Sequence, residues 1–247
     1  MTAPLERPAL PGALFLWIME RFAEEFADHA ILKGGLALRL LDSPRSTTDI
    51  DYVFVPYRSK RDIRADIESV LGELEDATVE IERHSRMLRA EIRIDEAAIQ
   101  LEANVAETCP SIPMSTGGFA QTEGRSPVVV RIMSPASALA HKLAAWNERR
   151  LLRDLFDCTF YVARLGVWPD GEVLDTRLAS VDSRIPALRS IRSMTRASLA
   201  AALRTALGDL DEARIHAELG GLLPEVELAG LELRMRAAAT RLAEWLE

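Results

Sequence analysis

The stretch Leu32-Lys33-Gly34-Gly35-Leu36-Ala37-Leu38 is followed, after a short gap, by Arg45-Ser46-Thr47-Thr48-Asp49-Ile50-Asp51 and the apolar run Tyr52-Val53-Phe54-Val55. The β-branched and aromatic run makes Thr48 to Val55 a strand. Side chains alternate between the faces of a strand, so Asp49 and Asp51 share one. Two carboxylates held side by side repel unless a cation lies between them. A divalent metal holding a triphosphate meets that need. The Gly34-Gly35 pair adds backbone freedom and close approach to phosphate, most useful at a helix N-terminus. Together these residues point to phosphoryl or nucleotidyl transfer. An isolated Asp-x-Asp more often marks a solvated sheet edge; here the glycine pair and the apolar strand argue otherwise.

Outward from this motif the chain changes character once. Residues 12–28 carry apolar positions at helical spacing and predict an N-terminal helix. Ile31-Leu32 is a short extended piece, Leu36 to Leu41 a turn or two of helix, and Asp42-Ser43-Pro44 a loop. Ser59 to Leu71 reads as an amphipathic helix with Ser59 as N-cap and Gly72 near its end. Strands are expected over Val79 to His84, Leu88 to Ile94 and Ile99 to Val105. The last two form an antiparallel hairpin through Asp95-Glu96-Ala97. Cys109 to Pro127, rich in Gly, Pro, Ser and Thr, reads as loop, and Val128 to Met133 as a further strand. Ser134-Pro135 is a strong helix start, opening a helical pattern that runs to about Arg164 with a break near Arg150. Gly166, Pro169 and Gly171 end it, and from Val173 onward the composition is helical. No internal repeat or low-complexity tract is present. The expected fold is therefore α+β. A small mixed core occupies residues 1–133 and an all-helical half residues 134–247, with 134–165 contributing to an active site in a cleft between them.

A chain of 247 residues, 48% hydrophobic, can bury one good core or two modest ones. Cys109 and Cys158 make neither a metal spacing nor a disulfide framework and read as inert thiols in a reducing compartment. The start, Met1 to Pro8, is not a signal n-region, and the apolar run Ala13 to Met19 is too short to span a bilayer. A soluble, cytoplasmic protein with no membrane partner is expected. The net charge of −8 excludes a general nucleic-acid coat protein. Charge is uneven, however: Arg177, Arg184, Arg189, Arg192, Arg196 and Arg204 face only Asp182 between them, whereas Gly208 to Glu247 holds nine acids and four arginines. The basic segment is either a local phosphate-binding surface or a solvated helix face that pairs with the acidic tail.

Two-metal chemistry needs a third carboxylate. Glu91, in Arg89-Ala90-Glu91-Ile92-Arg93, shares a strand face with both arginines and reads as their partner. Glu102 is preferred, because an acid inside the apolar strand Ile99 to Val105 is costly without a partner of its own. In the helix after Pro135, a rotation of 100° per residue places Lys142, Arg149, Arg153 and Asp157 on one stripe, with Asp154 at its edge. Lys142 sits in the apolar run Ala138 to Trp146, as a snorkelling side chain or as the partner of an anion such as a triphosphate. His29, His84, His141 and His216 show no ligand spacing, and neither a Ser-His-Asp order nor Gly-x-Gly-x-x-Gly is present.

Three blocks carry a family resemblance: Lys33-Gly34-Gly35-Leu36-Ala37-Leu38; Arg45-Ser46-Thr47-Thr48-Asp49-Ile50-Asp51; and Ala140-His141-Lys142-Leu143 with Arg149-Arg150 and Arg153-Asp154-Leu155-Phe156-Asp157. In this order the chain resembles the AbiEii/AbiGii-type toxin nucleotidyltransferases of the DNA polymerase β superfamily, the toxin half of type IV abortive-infection toxin–antitoxin systems. The resemblance spans roughly residues 30–165. It implies a polymerase-β-like nucleotidyltransferase core with Asp49 and Asp51 as Mg²⁺ ligands (or Mn²⁺) and an NTP as substrate, beside which Glu102 stands as the third carboxylate preferred from the strand pattern. It further implies Lys33, Gly34, Gly35, Arg45 and Thr47 around the phosphates, Lys142 and Arg149 on the triphosphate, and Asp154 and Asp157 as site carboxylates. Many superfamily members carry Ser after the first glycine; Gly35 here leaves the phosphate grip to backbone amides, Thr47 and Lys142. Members of the family transfer nucleotides to the 3′ end of tRNA, blocking aminoacylation, or bind GTP, and a cognate winged-helix antitoxin is the implied partner. The stretch Arg177 to Arg204 is the expected resting place of an RNA backbone. A small-molecule nucleotidyltransferase of the antibiotic-modifying kind and a non-catalytic nucleotide-binding module are the alternatives.

Overall fold

The structure, a computed structural model, describes residues 11–84, 87–95, 97–183 and 185–247. Met1 to Leu10, Glu96 of the hairpin turn and Arg184 of the basic segment lie outside the described residues. The chain divides into two compact units, Met1–Met133 and Ser134–Glu247.

The first unit runs α1 (Pro11–Phe26), β1 (Ala30–Lys33), α2 (Gly34–Leu40), β2 (Asp49–Phe54), α3 (Arg61–Leu71), β3 (Thr78–Arg83), β4 (Leu88–Ile94), β5 (Ala97–Val105), β6 (Ser111–Ser115), α4 (Gly117–Thr122) and β7 (Val129–Met133). Its strands form one mixed sheet in the order β3-β4-β5-β2-β1-β7-β6. β2 is parallel to β5 and β1 to β7; the other neighbours are antiparallel. The Asp-x-Asp strand β2 is the fourth of seven, so the sheet-edge reading of that motif does not hold.

Alternation along β2 explains which way its acids point. Ile50, Tyr52 and Phe54 are buried in the core with Phe22 and Phe26 of α1. Phe22 lies 5.0 Å from Tyr52 and Phe26 lies 4.8 Å from Phe54, centroid to centroid. Each such ring contributes about 1.5–3 kcal/mol by leaving water. A one-residue slip would therefore expose three core side chains and bury both aspartates, which fixes the register.

Two expectations need correction in this unit. Ser59 lies one residue further from α3 than an N-cap: Lys60 takes that position. Ser59 still serves the helix start, because its Oγ accepts from the Arg61 amide (3.2 Å) while the Asp62 carboxylate accepts from the Ser59 amide (3.2 Å). The segment Cys109 to Pro127, expected as loop, contains β6 and α4. Pro113 misleads because proline suits an edge strand, where no outer neighbour needs its missing N–H, and β6 is such an edge.

The second unit comprises α5 (Pro135–Arg149), α6 (Leu152–Ala163), α7 (Gly171–Leu178), α8 (Arg196–Gly208), α9 (Glu212–Leu219), α10 (Glu225–Leu228) and α11 (Leu231–Trp245). Ser134 caps α5 by accepting from the Ser137 amide at 3.4 Å, with Pro135 in the first turn. The helical pattern toward Arg164 breaks at Arg150, whose φ of +56° is left-handed, and α6 packs back against α5. α11 packs on α6 and α8. Among the described residues, no helix is long and apolar enough to cross a membrane. Three of the six arginines of the basic segment are matched by acids. Arg177 pairs with Glu148 (3.0 Å), Arg196 grips Asp175 through two nitrogens at 2.7 Å each, and Arg204 pairs with Glu247. Of these partners only Glu247 belongs to the acidic tail. For these three arginines the pairing reading replaces the free phosphate surface.

Candidate functional site

In the first unit the site grows from strand register. Lys33 lies opposite Asp51, Asp51 opposite Glu102, and Glu102 opposite Arg89. Four adjacent strands thus carry a single row of charge, cation–acid–acid–cation, across the sheet. Lys33 Nζ is 3.2 Å from Asp51 Oδ1, and Arg89 Nη2 donates to Glu102 Oε1 at 3.0 Å. Gln100 Nε2 donates to the same Glu102 oxygen at 2.9 Å. Asp49 occupies the next row, opposite Gln100. The side chains of Asp51 and Glu102 are 21% and 19% exposed, enough to meet a ligand from solvent.

The glycine pair is shaped around these groups. Gly34 has φ +74°, and a Cβ there would overlap the Asp51 carboxylate. A Cβ on Gly35 would lie 2.8 Å from Arg45 Nη2 and 2.9 Å from Thr47 Oγ1. A serine at position 35 would displace those side chains, so glycine at that position makes room for Arg45. Arg45 is buried and donates to the Ser46 carbonyl (3.1 Å). Thr47 Oγ1 accepts from the Asp49 amide at 3.3 Å, tying the Arg-x-Thr turn to the start of β2. Lys33, Gly34, Gly35, Arg45, Thr47, Asp49 and Asp51 are therefore brought together as the sequence spacing suggests. Gly34→Ala is expected to cost about 1–2 kcal/mol for the left-handed backbone alone and to turn Asp51 away from Lys33. Thermal unfolding and a transfer assay measure the two effects, and full activity in this variant would contradict the packing described.

The structure also revises how Glu102 stands out. Its part-buried carboxylate is matched by Arg89, expected on Glu91 instead, and by Gln100, which sequence reasoning passed over, while Glu91 pairs with Arg93 (2.7 Å). For Arg89 the choice falls on Glu102, directly opposite on the neighbouring strand, and not on Glu91 two places along its own strand. The signal lay in the hairpin turn. Ile94 pairs with Ala97, leaving two residues for the turn, with Asp95 at φ +51°. A three-residue turn would have placed Ala90, not Arg89, opposite Glu102. Among the described residues, no three His, Cys, Asp or Glu side chains are gathered as a ready metal cage. Three hard oxygen donors on one face nevertheless suit Mg²⁺ or Mn²⁺, and Lys33 already shows that this face takes a cation.

In the second unit Lys142, Asp157, Asp154 and Arg149 meet, though not as a stripe on one helix. The turn at Arg150 folds α6 against α5, placing Lys142 Nζ 2.7 Å from Asp157 Oδ2 and 3.8 Å from Asp154 Oδ1. Arg149 holds Asp154 through two hydrogen bonds of 3.1 and 2.7 Å. Both acids are fully buried. Arg153, expected on the same stripe, is exposed and takes no part.

Burial raises the thiol pKa of Cys109 to about 11, against an opposing pull from the Lys33 charge, and that of Cys158 well above its usual value. At pH 8 only about a thousandth of Cys109 is thiolate, so alkylation of the folded protein should be slow at both cysteines. Rapid labelling at pH 8 would contradict this.

A glycine turn wrapped on strand carboxylates within such a mixed sheet suits nucleotidyl transfer. The sequence model described as "Nucleotidyl transferase AbiEii toxin, Type IV TA system" matches residues 17–242, and the chain belongs to that family of toxin enzymes. No curated protein matches its sequence. Among solved structures, it is similar to JHP933 from Helicobacter pylori at 16% identity and TM-score 0.53, over 94% of this chain and 90% of that one. It is likewise similar to MenT4, a nucleotidyltransferase toxin of Mycobacterium tuberculosis H37Rv, at 16% identity and TM-score 0.54, over 96% and 85%. These two likenesses speak to the fold.

Proposed function

We propose that this toxin transfers a nucleoside monophosphate from an NTP to an acceptor hydroxyl at the 3′ end of tRNA, which blocks translation. The observation that carries the reading is the cross-strand row Lys33–Asp51–Glu102–Arg89 with Gly34 folded onto Asp51. Asp49, Asp51 and Glu102 would hold Mg²⁺, or Mn²⁺ in its place. When bound, the ion would make an attacking hydroxyl more acidic and neutralise phosphate charge. A free carboxylate oxygen of Asp49 or Asp51 accepts the hydroxyl proton. The backbone of Gly34 and Gly35, with Arg45 and Thr47, grips the phosphates. Lys33 and Arg89, at the two ends of the row, hold Asp51 and Glu102 in place between turnovers. By family resemblance Lys142 and Arg149 are assigned to the charge of the departing pyrophosphate, with Asp154 and Asp157 orienting them. The antitoxin is taken to be a small winged-helix protein, and the working compartment the cytoplasm.

Incubation with labelled NTPs, Mg²⁺ and total RNA tests the reading, with label expected on tRNA. Label on a soluble metabolite would instead make this an enzyme of the antibiotic-modifying kind, and no transfer from any NTP would leave a nucleotide-binding module. In cells, Asp49→Asn and Asp51→Asn are each expected to relieve growth arrest.

A further inference from the structure

At the α5–α6 turn the second unit contains a hollow of about 410 Å³, lined by Trp146, Arg150, Leu155, Ala206, Asp209 and Arg214 among others. The left-handed turn sends the two neighbouring arginines different ways. Arg149 is neutralised by Asp154, whereas Arg150 stacks over Trp146 with its guanidinium carbon 4.5 Å from the ring centroid. Arg150 Nε and Nη2 donate to the Asn147 carbonyl (3.1 Å) and Oδ1 (2.9 Å), both neutral acceptors. Among the described residues no carboxylate pairs with Arg150, and burial lowers its pKa. A half-buried cation without a counter-charge is costly, and an anionic ligand removes that cost. Arg214 sits on the same wall, held by Glu218 at 2.7 Å; the other oxygen of Glu218 accepts from the Leu152 amide at 3.2 Å. The remaining wall is mostly aliphatic, with Thr205 and the Asp209 carboxylate as its polar groups.

We propose that this hollow binds a nucleoside monophosphate unit, its phosphate on Arg150 and Arg214, its base against Leu155 and Ala206, and an amino or hydroxyl donor on Asp209. The volume falls in the range of small-ligand sites, and the Arg150 guanidinium, with Arg214 also on the lining, suits a phosphomonoester. The unit is either a free mononucleotide or one residue of a nucleic acid strand. The site is independent of the transfer reaction and stands even if that reading fails.

Calorimetric titration of the full-length protein with AMP, GMP, CMP and UMP, without added metal, tests the proposal. At least one should bind, with adenosine or the matching nucleoside and inorganic phosphate each weaker by about tenfold or more. Arg150→Gln and Ala206→Leu, the first removing the charge and the second filling the hollow, should each weaken binding by about tenfold, while Asp51→Asn leaves it unchanged. A single-stranded tetraribonucleotide that outcompetes the monophosphate identifies the strand as the source; one that does not identifies the free nucleotide. The proposal is overturned if no monophosphate binds at millimolar concentration, or if phosphate alone binds as well. Binding lost in Asp51→Asn but kept in the Arg150 and Ala206 variants overturns it equally.

Discussion

Asn in place of Asp51 is expected to lower nucleotide transfer by about a thousandfold or more while the protein stays folded. The side chain is nearly isosteric, so Gly34 keeps its packing partner and the sheet its register. What disappears is a charged oxygen at the centre of the row, the one residue touched by Lys33 from one side and neighbouring Glu102 on the other. The cost to stability is small, because the pair with Lys33 is partly exposed and such pairs contribute about 0–1 kcal/mol. Activity assay and urea unfolding on the same preparation separate the two effects. A variant that keeps a tenth of the activity would remove Asp51 from the chemistry.

Lys142→Met is expected to carry a large stability loss, about 3–5 kcal/mol. Asp157 is fully buried, and the lysine ammonium at 2.7 Å is the cation set directly against it. Removing the lysine leaves a buried carboxylate without that charge, whereas Asp154 keeps its two bonds from Arg149. The double variant Lys142→Met, Asp157→Leu should recover most of the loss, since an apolar pair of similar volume removes both desolvation costs. Urea unfolding of the single and double variants measures the coupling. Equal losses in the two would show that the pair adds nothing specific.

The local pattern made much of the first unit readable. Asp49 and Asp51 declared a shared strand face because Ile50, Tyr52 and Phe54 had to be buried together, and Ser134-Pro135 declared the start of α5 through its own capping chemistry. What the chain hid was set by partners distant in sequence. Glu102 announced that it needed a partner, but whether that was a metal or Arg89 depended on a turn length one residue shorter than it looked. The stripe from Lys142 to Asp157 gathered Lys142, Arg149, Asp154 and Asp157 for the wrong reason and wrongly included Arg153. A helix stripe and a helix hairpin both gather those residues, and only the left-handed Arg150 decides between them. Pro113 concealed an edge strand, since proline counts against a strand only where a neighbouring strand needs its N–H. The arginines between Arg177 and Arg204 left two readings open because Glu148, Asp175 and Glu247, which neutralise three of them, lie outside that stretch.

The central claim, nucleotidyl transfer at the Asp49–Asp51 face, is tested most directly by the position of the transferred label. Purified protein is given tRNA, Mg²⁺ and each NTP labelled on either the α- or the γ-phosphate. Label should reach the RNA from the α-phosphate only, and the Asp49→Asn, Asp51→Asn double variant should abolish it. Transfer from the γ-phosphate, or α-transfer that survives the double variant, would contradict the account.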